Sequence, residues 1–240
     1  MPAVFVHGVP DTAVMWDKVR SHLARTDVIA VKLPGFASPV PAGFGATKEE
    51  YAAWLTSEVE AIGEPVDLVG HDWGSLLVQR VVSTRPDLIR TWAAGAGTID
   101  RTYVWHDLAQ MWQTPEVGEQ VMAAMTGDAM VDALAPQIGR ESAQVVADHI
   151  DDTMKDCVLK LYRSAAGGFD EWHDAVDTID RPGTVFWGAD DPYVTPEFGE
   201  RLAERTGASL EMFADSGHWW PVTKPAEVAK GLGAMWSAAS

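Results

Sequence analysis

The sequence predicts an α/β fold, a mostly parallel sheet covered by helices on both faces. Two observations predict it. Short β-branched runs alternate along the chain with longer amphipathic stretches, and strands alternating with helices form parallel sheets through crossover connections. The composition agrees: 240 residues, 47% hydrophobic and 22% charged, are enough for one domain with a real core.

The elements follow in order. Val4-Phe5-Val6 reads as the first strand, followed by a helical pattern over residues 13–25. Val28-Ile29-Ala30-Val31 is the second strand. The next helix, over 47–62, opens with Thr47 and, three residues on, Glu50. That spacing is a capping box, in which hydroxyl and carboxylate satisfy each other's orphan backbone amides. Val66-Asp67-Leu68-Val69 is the third strand, and a helix over 74–84 stops before Arg85-Pro86. Thr91-Trp92-Ala93-Ala94 is the fourth strand, Thr184-Val185-Phe186-Trp187 the fifth and Leu210-Glu211-Met212-Phe213 the sixth. Helical patterns over 196–206 and 225–237 follow the last two. Residues 100–180 break the rhythm with helical patterns at 117–125, 142–150 and 154–163 and no convincing strand. The chain therefore divides into a core, 1–99 and 181–240, and a helical lid, 100–180, over the sheet's carboxyl edge.

Charge excludes several partners. Lys and Arg number 18 against 35 Asp and Glu, a net charge of −17. The basic residues are scattered, so nucleic acid and anionic membranes are not expected partners. Cys157 is the one cysteine, which leaves no intrachain disulfide and no cysteine-rich metal site. No metal-ligand spacing appears, and neither metal nor cofactor is expected. The start, MPAVFVHGVP, lacks a charged signal-type region, and no run approaches the ~18 apolar residues of a membrane span. A cytoplasmic protein is the expectation.

The chemistry gathers at Gly70-His71-Asp72-Trp73-Gly74, between a buried strand and a helix. Small residues two before and two after Asp72 make the nucleophile-elbow pattern, with Asp where Ser is more common. They permit a sharp turn that lifts one side chain above the sheet edge, facing the amides of the next helix. Alone, the pattern is also readable as a strand-to-helix turn closed by an aspartate cap. Two further segments bear on it. His7-Gly8-Val9-Pro10 follows the first strand, so the Val9 and Trp73 amides are placed to hold a developing oxyanion. Gly188-Ala189-Asp190-Asp191-Pro192 follows the fifth strand, and His218 lies in Asp215-Ser216-Gly217-His218-Trp219-Trp220-Pro221 after the sixth. The order Asp72, Asp191, His218 is nucleophile, acid, base.

With HG-x-P, GHDWG, G-x-x-D-P and SGHW in this order, the sequence resembles the α/β-hydrolase superfamily over nearly its whole length. Within it, the chain resembles the Asp-nucleophile branch of epoxide hydrolases and haloalkane dehalogenases. The resemblance implies a catalytic set of Asp72, His218 and Asp191, with Val9 and Trp73 forming the oxyanion hole. The family spacing G-x-x-D selects Asp191 over its neighbour Asp190. Some relatives take the acid from just after the fourth strand, where Asp100 stands a few residues too far along. His7 and His71 read as packing and hydrogen-bonding residues rather than bases, and His7 and Pro10 are also taken as substrate contacts. Ser75 lies three beyond the elbow position, which argues against a serine esterase.

An Asp nucleophile implies its substrate class. A carboxylate attacking an sp³ carbon displaces a halide or opens an epoxide and leaves an ester, which base-activated water can cleave. A serine would leave an ether, which it could not. Epoxide opening also needs a proton donor for the alkoxide, and epoxide hydrolases use lid tyrosines. Val158-Leu159-Lys160-Leu161-Tyr162-Arg163 resembles their late-lid pattern and makes Tyr162 the donor. In the early-lid segment, Asp107 to Pro115, the partner tyrosine is replaced by Leu108, Met111 and Trp112. Tyr103, or an indole N–H of Trp105 or Trp112, is the candidate substitute. A dehalogenase would use Trp73 and a second donor for the halide, but Val9 stands where those enzymes usually carry Asn or an acidic residue. A Met-rich, Trp-rich lid suggests a pocket for a small neutral hydrophobic substrate, with Trp112 and Trp219 touching it.

The leading expectation is thus an epoxide hydrolase, with a haloalkane dehalogenase second and a binding or non-hydrolytic member of the fold third. One departure concerns the sheet. Family members usually carry two strands before the HG-x-P strand, and here they are gone. The strand near 28–32 becomes an edge, and edges invite pairing. A homodimer across it, or cover from the Pro34–Phe44 loop, is expected.

Overall fold

The computed structural model describes residues 1–239. Six parallel strands form one sheet, ordered β2-β1-β3-β4-β5-β6. They are β1 (Ala3–Val6), β2 (Val28–Val31), β3 (Val66–His71), β4 (Ile89–Gly95), β5 (Gly183–Gly188) and β6 (Ser209–Phe213). This is the α/β-hydrolase fold that the sequence predicts, with β1 the first strand of the sheet.

Side-chain alternation explains why both faces are covered. Successive residues of a strand point to opposite faces. Val4 and Val6 of β1 join one buried cluster, with Leu55 of α2 (Lys48–Ala61) and Leu77 of α3 (Trp73–Thr84). Ala3 and Phe5, the alternate residues, join another with Val19 of α1 (Asp17–His22) and Leu232 of α12 (Pro225–Ala238). The capping box forms as expected: Thr47 accepts from the Glu50 amide, and the Glu50 carboxylate accepts from the Thr47 amide at 3.1 Å.

The helix expected over 13–25 is shorter. A 3₁₀ turn at Ala13–Trp16 leads into α1, which ends when Leu23 becomes extended. Beyond it Arg25 reaches the fully buried Asp67 of β3 and pairs with it at 2.7 Å. Edge strand β2 leaves Ile29 42% exposed. The loop after it packs inward instead, with Phe36 against His7 and Tyr51 and the Tyr51 hydroxyl donating to the Pro34 carbonyl.

Between β4 and β5 lie six helices: α4 (Asp107–Gln113), α5 (Val117–Ala124), α6 (Gly127–Ile138), α7 (Arg140–Ala147), α8 (Asp152–Ser164) and α9 (Asp170–Val176). The sequence marks only α5, α7 and α8. Helix α6 hides behind Gly127 at its start and Pro136 near its end, both poor helix formers. Pro136, within the helix, withholds one backbone amide from its last turns. Helices α10 (Pro196–Thr206) and α11 (Trp220–Thr223) complete the core. Among the described residues no helix is long and apolar enough to cross a membrane.

Candidate active site

Asp72 sits between β3 and α3 with φ 54° and ψ −120°. A non-glycine residue in that region is strained, and such strain collects at functional sites. Gly74 makes the turn possible, because a Cβ there would stand 2.3 Å from the Val6 carbonyl oxygen. The turn aims the Asp72 carboxylate at the loop after β1. The Val9 amide donates to Oδ1 at 2.7 Å. Trp73, next in the chain, supplies the first amide of α3.

The other carboxylate oxygen faces His218. His218 Nε2 lies 3.5 Å from Asp72 Oδ2, and its Nδ1 is 2.9 Å from Asp191 Oδ2. Asp191 is buried and doubly held: its Oδ1 accepts from the Tyr193 amide at 2.9 Å and the Val194 amide at 3.0 Å. Asp190, by contrast, is exposed. Asp100 points elsewhere, accepting from Thr102 and pairing with Arg201 at 3.3 Å.

These contacts set the charges. Burial alone would raise the Asp72 carboxyl, but the hydrogen bond and charge of His218, with the Val9 amide, outweigh it and hold the group below its ordinary value. Burial likewise opposes protonation of His218, yet the Asp191 and Asp72 carboxylates on either side lift it well above its ordinary value. The resting arrangement is an ion pair, Asp72⁻ beside His218⁺, with the imidazole oriented by Asp191. A carboxylate with one oxygen fixed by an amide can attack with the other. Loss of that negative charge would weaken the hold of His218 on its proton.

The supporting histidines play other parts. His71 is fully buried, and its Nε2 donates to the His218 carbonyl at 2.8 Å, fixing the backbone that carries the base. His7 corrects an expectation, for it is not a substrate contact. It is fully buried beneath the loop, with Nδ1 donating to the Gly8 carbonyl at 2.8 Å and Nε2 accepting from the Leu33 amide at 3.1 Å. Burial drives both rings down to about 4, so they stay neutral. Ser75 is likewise occupied, its hydroxyl donating to the Gly97 carbonyl at 2.7 Å.

Above Asp72 lies a cavity of about 340 Å³ between sheet and lid. Of the residues read from the sequence, Val9, Pro10, Trp73, Trp112, Tyr162 and Trp219 line it, together with Asp72 and His218. Tyr162 packs edge-on against Trp73 and Trp112, with ring centroids 5.3 and 4.8 Å away. Burial, with Asp72 near, lifts its hydroxyl well above the ordinary tyrosine value, so it remains a protonated donor. No acceptor among the described residues takes that proton. Tyr103 also lines the cavity, its hydroxyl 3.3 Å from the Tyr193 carbonyl. The Trp105 indole is committed to the Ala165 carbonyl at 3.2 Å, the Trp73 indole faces the Tyr162 hydroxyl, and that of Trp112 is buried with no hydrogen-bond partner among the described residues. Trp219 donates its indole proton to Asp11 at 2.8 Å, which leaves its ring face for the cavity.

Among the cavity residues that the sequence reading did not single out are the polar side chains of His106, Gln137 and Tyr193. Only His106 carries a local signal, a capping-type position just before α4.

The sequence profile of the alpha/beta hydrolase family matches residues 3–231. The (E)-2-((N-methylformamido)methylene)succinate hydrolase of Acinetobacter baylyi is 24% identical over 96% of this chain and 88% of its own length. The Mycobacterium tuberculosis protein named "Probable oxidoreductase EphD" is also 24% identical, but this chain spans only 44% of it. Among solved structures, haloalkane dehalogenase DbeA from Bradyrhizobium elkani superposes with a TM-score of 0.78 and 22% identity, covering 99% of this chain and 91% of that one. A thermophilic esterase from Thermogutta terrifontis gives a TM-score of 0.82 at 21% identity, covering 100% and 90%.

Proposed function

The chain belongs to the alpha/beta hydrolase family and is an enzyme of that class, and within it we propose a hydrolase that opens epoxides with Asp72 as nucleophile. One observation carries this reading: the Tyr162 hydroxyl, whose proton has no acceptor among the described residues, lines the same cavity as an ionised carboxylate whose one oxygen is pinned by an amide.

The Asp72 oxygen not held by Val9 attacks a ring carbon of the substrate. The new carbon–oxygen bond makes an ester, the ring bond breaks, and the departing alkoxide takes the Tyr162 proton. Esterification removes the carboxylate charge that kept His218 protonated. His218 gives up that proton, which restores the tyrosine through solvent. The neutral imidazole, oriented by Asp191, then takes a proton from water, and the hydroxide adds to the ester carbon. Negative charge develops on the oxygen bound by the Val9 amide, with the Trp73 amide beside it. Collapse releases a diol and regenerates Asp72. The substrate is small, neutral and largely apolar, in keeping with the Trp and Met lining, and no cofactor enters any step.

A haloalkane is the second reading. The unpartnered indole N–H of Trp112, with the Trp73 indole in the same cavity, favours it, because such donors suit a leaving halide.

The test is intact-mass spectrometry of His218→Gln incubated with a mixed panel of epoxides and haloalkanes. Without the base, the ester on Asp72 accumulates. A gain equal to a whole epoxide is expected. A gain equal to an alkyl group, with halide released, transfers the assignment to the second reading. Folded protein without any adduct, from a panel that includes substrates of cavity size, refutes both.

A further inference from the structure

The cavity has a second polar corner, away from Tyr162. Tyr193 packs edge-on against His218 and Trp219 at 5.1 and 5.8 Å, and on its other side against His106 at 5.1 Å. His106 caps α4: its Nδ1 accepts from the Ala109 amide at 3.3 Å. Burial lowers its affinity for a second proton, so the ring is neutral. A neutral imidazole whose Nδ1 accepts carries its proton on Nε2, and that N–H has no partner among the described residues. Gln137, from α6, donates its amide to the Tyr193 hydroxyl oxygen at 3.2 Å. The hydroxyl therefore receives one hydrogen bond from the lid, and its own proton has no acceptor among the described residues. Two neutral donors, from segments on opposite sides of the lid boundary, are left unused in a largely apolar cavity, apart from the polar groups at Asp72, His218, Tyr103 and Tyr162. Polar groups so placed in an apolar pocket fix a ligand's orientation.

We propose that His106 and Tyr193, with Gln137 positioning the Tyr193 hydroxyl, form a subsite for an uncharged carbonyl oxygen, so that the substrate is an apolar molecule carrying a ketone, ester or amide away from the carbon attacked. A carboxylate is disfavoured here, because Asp72 and Asp191 are both close enough to influence His106 and the chain carries a charge of −17. The inference rests on the cavity being the substrate site, but not on the chemistry at Asp72.

The test uses binding without turnover. Affinities for 4-phenyl-2-butanone and for butylbenzene, its hydrocarbon counterpart, are measured by tryptophan fluorescence on the wild type and on four variants. The wild type is expected to prefer the ketone about tenfold, the size of one good hydrogen bond. His106→Asn keeps a side-chain acceptor for the α4 cap but withdraws the donor, and Tyr193→Phe removes the other. Each is expected to cut the preference at least threefold while leaving butylbenzene affinity in place, and Gln137→Leu to cut it less. Tyr162→Phe should leave it intact. Thermal melts check that each variant is folded. Equal or absent binding of both probes by the wild type overturns the proposal. So does a preference that survives both His106→Asn and Tyr193→Phe, or that Tyr162→Phe abolishes. An ester on Asp72 without the ketone preference would remove the subsite and leave the chemistry. The preference without an ester would do the reverse.

Discussion

Gly8→Ala tests how tightly the Asp72 carboxylate, the proposed nucleophile, is held. A Cβ at Gly8 would stand 2.4 Å from the Asp72 Cβ and 2.5 Å from its Oδ1. Ordinary contact starts near 3.4 Å, so 3.4 − 2.4 leaves a shortfall of 1.0 Å. Rotating the aspartate cannot relieve it, because the Cβ is fixed to the strained elbow backbone at φ 54°. The loop has to retreat, and Val9, the next residue, goes with it. Its hydrogen bond to Oδ1, now 2.7 Å, would stretch towards 2.7 + 1.0, past the useful range. A misplacement of about 1 Å costs on the order of 10²-fold in rate, and losing one oxyanion donor costs about 10² to 10³. Ester formation should therefore slow about 100-fold, and ester hydrolysis by at least as much. Global stability should fall by only about 1–3 kcal/mol, the usual cost of overpacking. The assay follows ester formation by intact mass in the His218→Gln background, and hydrolysis of the preformed ester in the otherwise native chain, alongside thermal melts. A Gly8→Ala protein that forms the ester at the parental rate would refute the reasoning, since the Val9 contact would then be dispensable.

Two predictions concern pH. Because Asp72 is held below its ordinary value and His218 loses a supporting charge on esterification, ester formation should persist at pH 5 while hydrolysis fails, so rapid acid quench of the wild type should catch the ester there but not at pH 8. Parallel loss of both steps would contradict this ordering. Stability should also fall in acid: His7 and His71 titrate near 4 in the fold and near 6.5 when unfolded, so below about pH 6.5 the unfolded chain binds protons that the fold refuses, costing about 3 kcal/mol for each ring by pH 4. Asp11, pushed up to about 6 by burial, works the other way as pH falls, so the test is whether His7→Asn flattens the decline in urea stability between pH 7 and 4.5; an unchanged slope would rule out His7 as a contributor.

Much of the site is legible because its chemistry needs particular residues close together in the chain. The Asp72 elbow demands small neighbours, and Gly70 and Gly74 stand beside it. The first-strand loop and the acid carry equally local marks, and Asp191 follows Gly188 at the spacing the resemblance requires. The lid is less legible. Helix α6 contains Gly127 and Pro136, so its propensity argues against it, and packing of Val131 and Leu134 in the lid cluster overrides that. His7 was misplaced for a different reason. A residue next to the oxyanion loop can point into the cavity or under it, and only the register of β1 against its neighbours chooses.

The sequence by itself determined the layered α/β architecture, the order of its strands along the chain and the nomination of Asp72, Asp191 and His218 as a candidate set that the fold brings together, because period, turn chemistry and short motifs are properties of neighbouring residues. Only the tertiary structure decided which donors share the cavity. Gln137 and Tyr193 are 56 residues apart, Trp219 and Asp11 208. No local spacing relates them. Gln137 and Tyr193 meet because the lid crossover carries α6 back over the loop after β5, and Trp219 and Asp11 because the loops after β6 and β1 converge above the sheet, and the direction of each side chain there is set by packing against partners from distant segments.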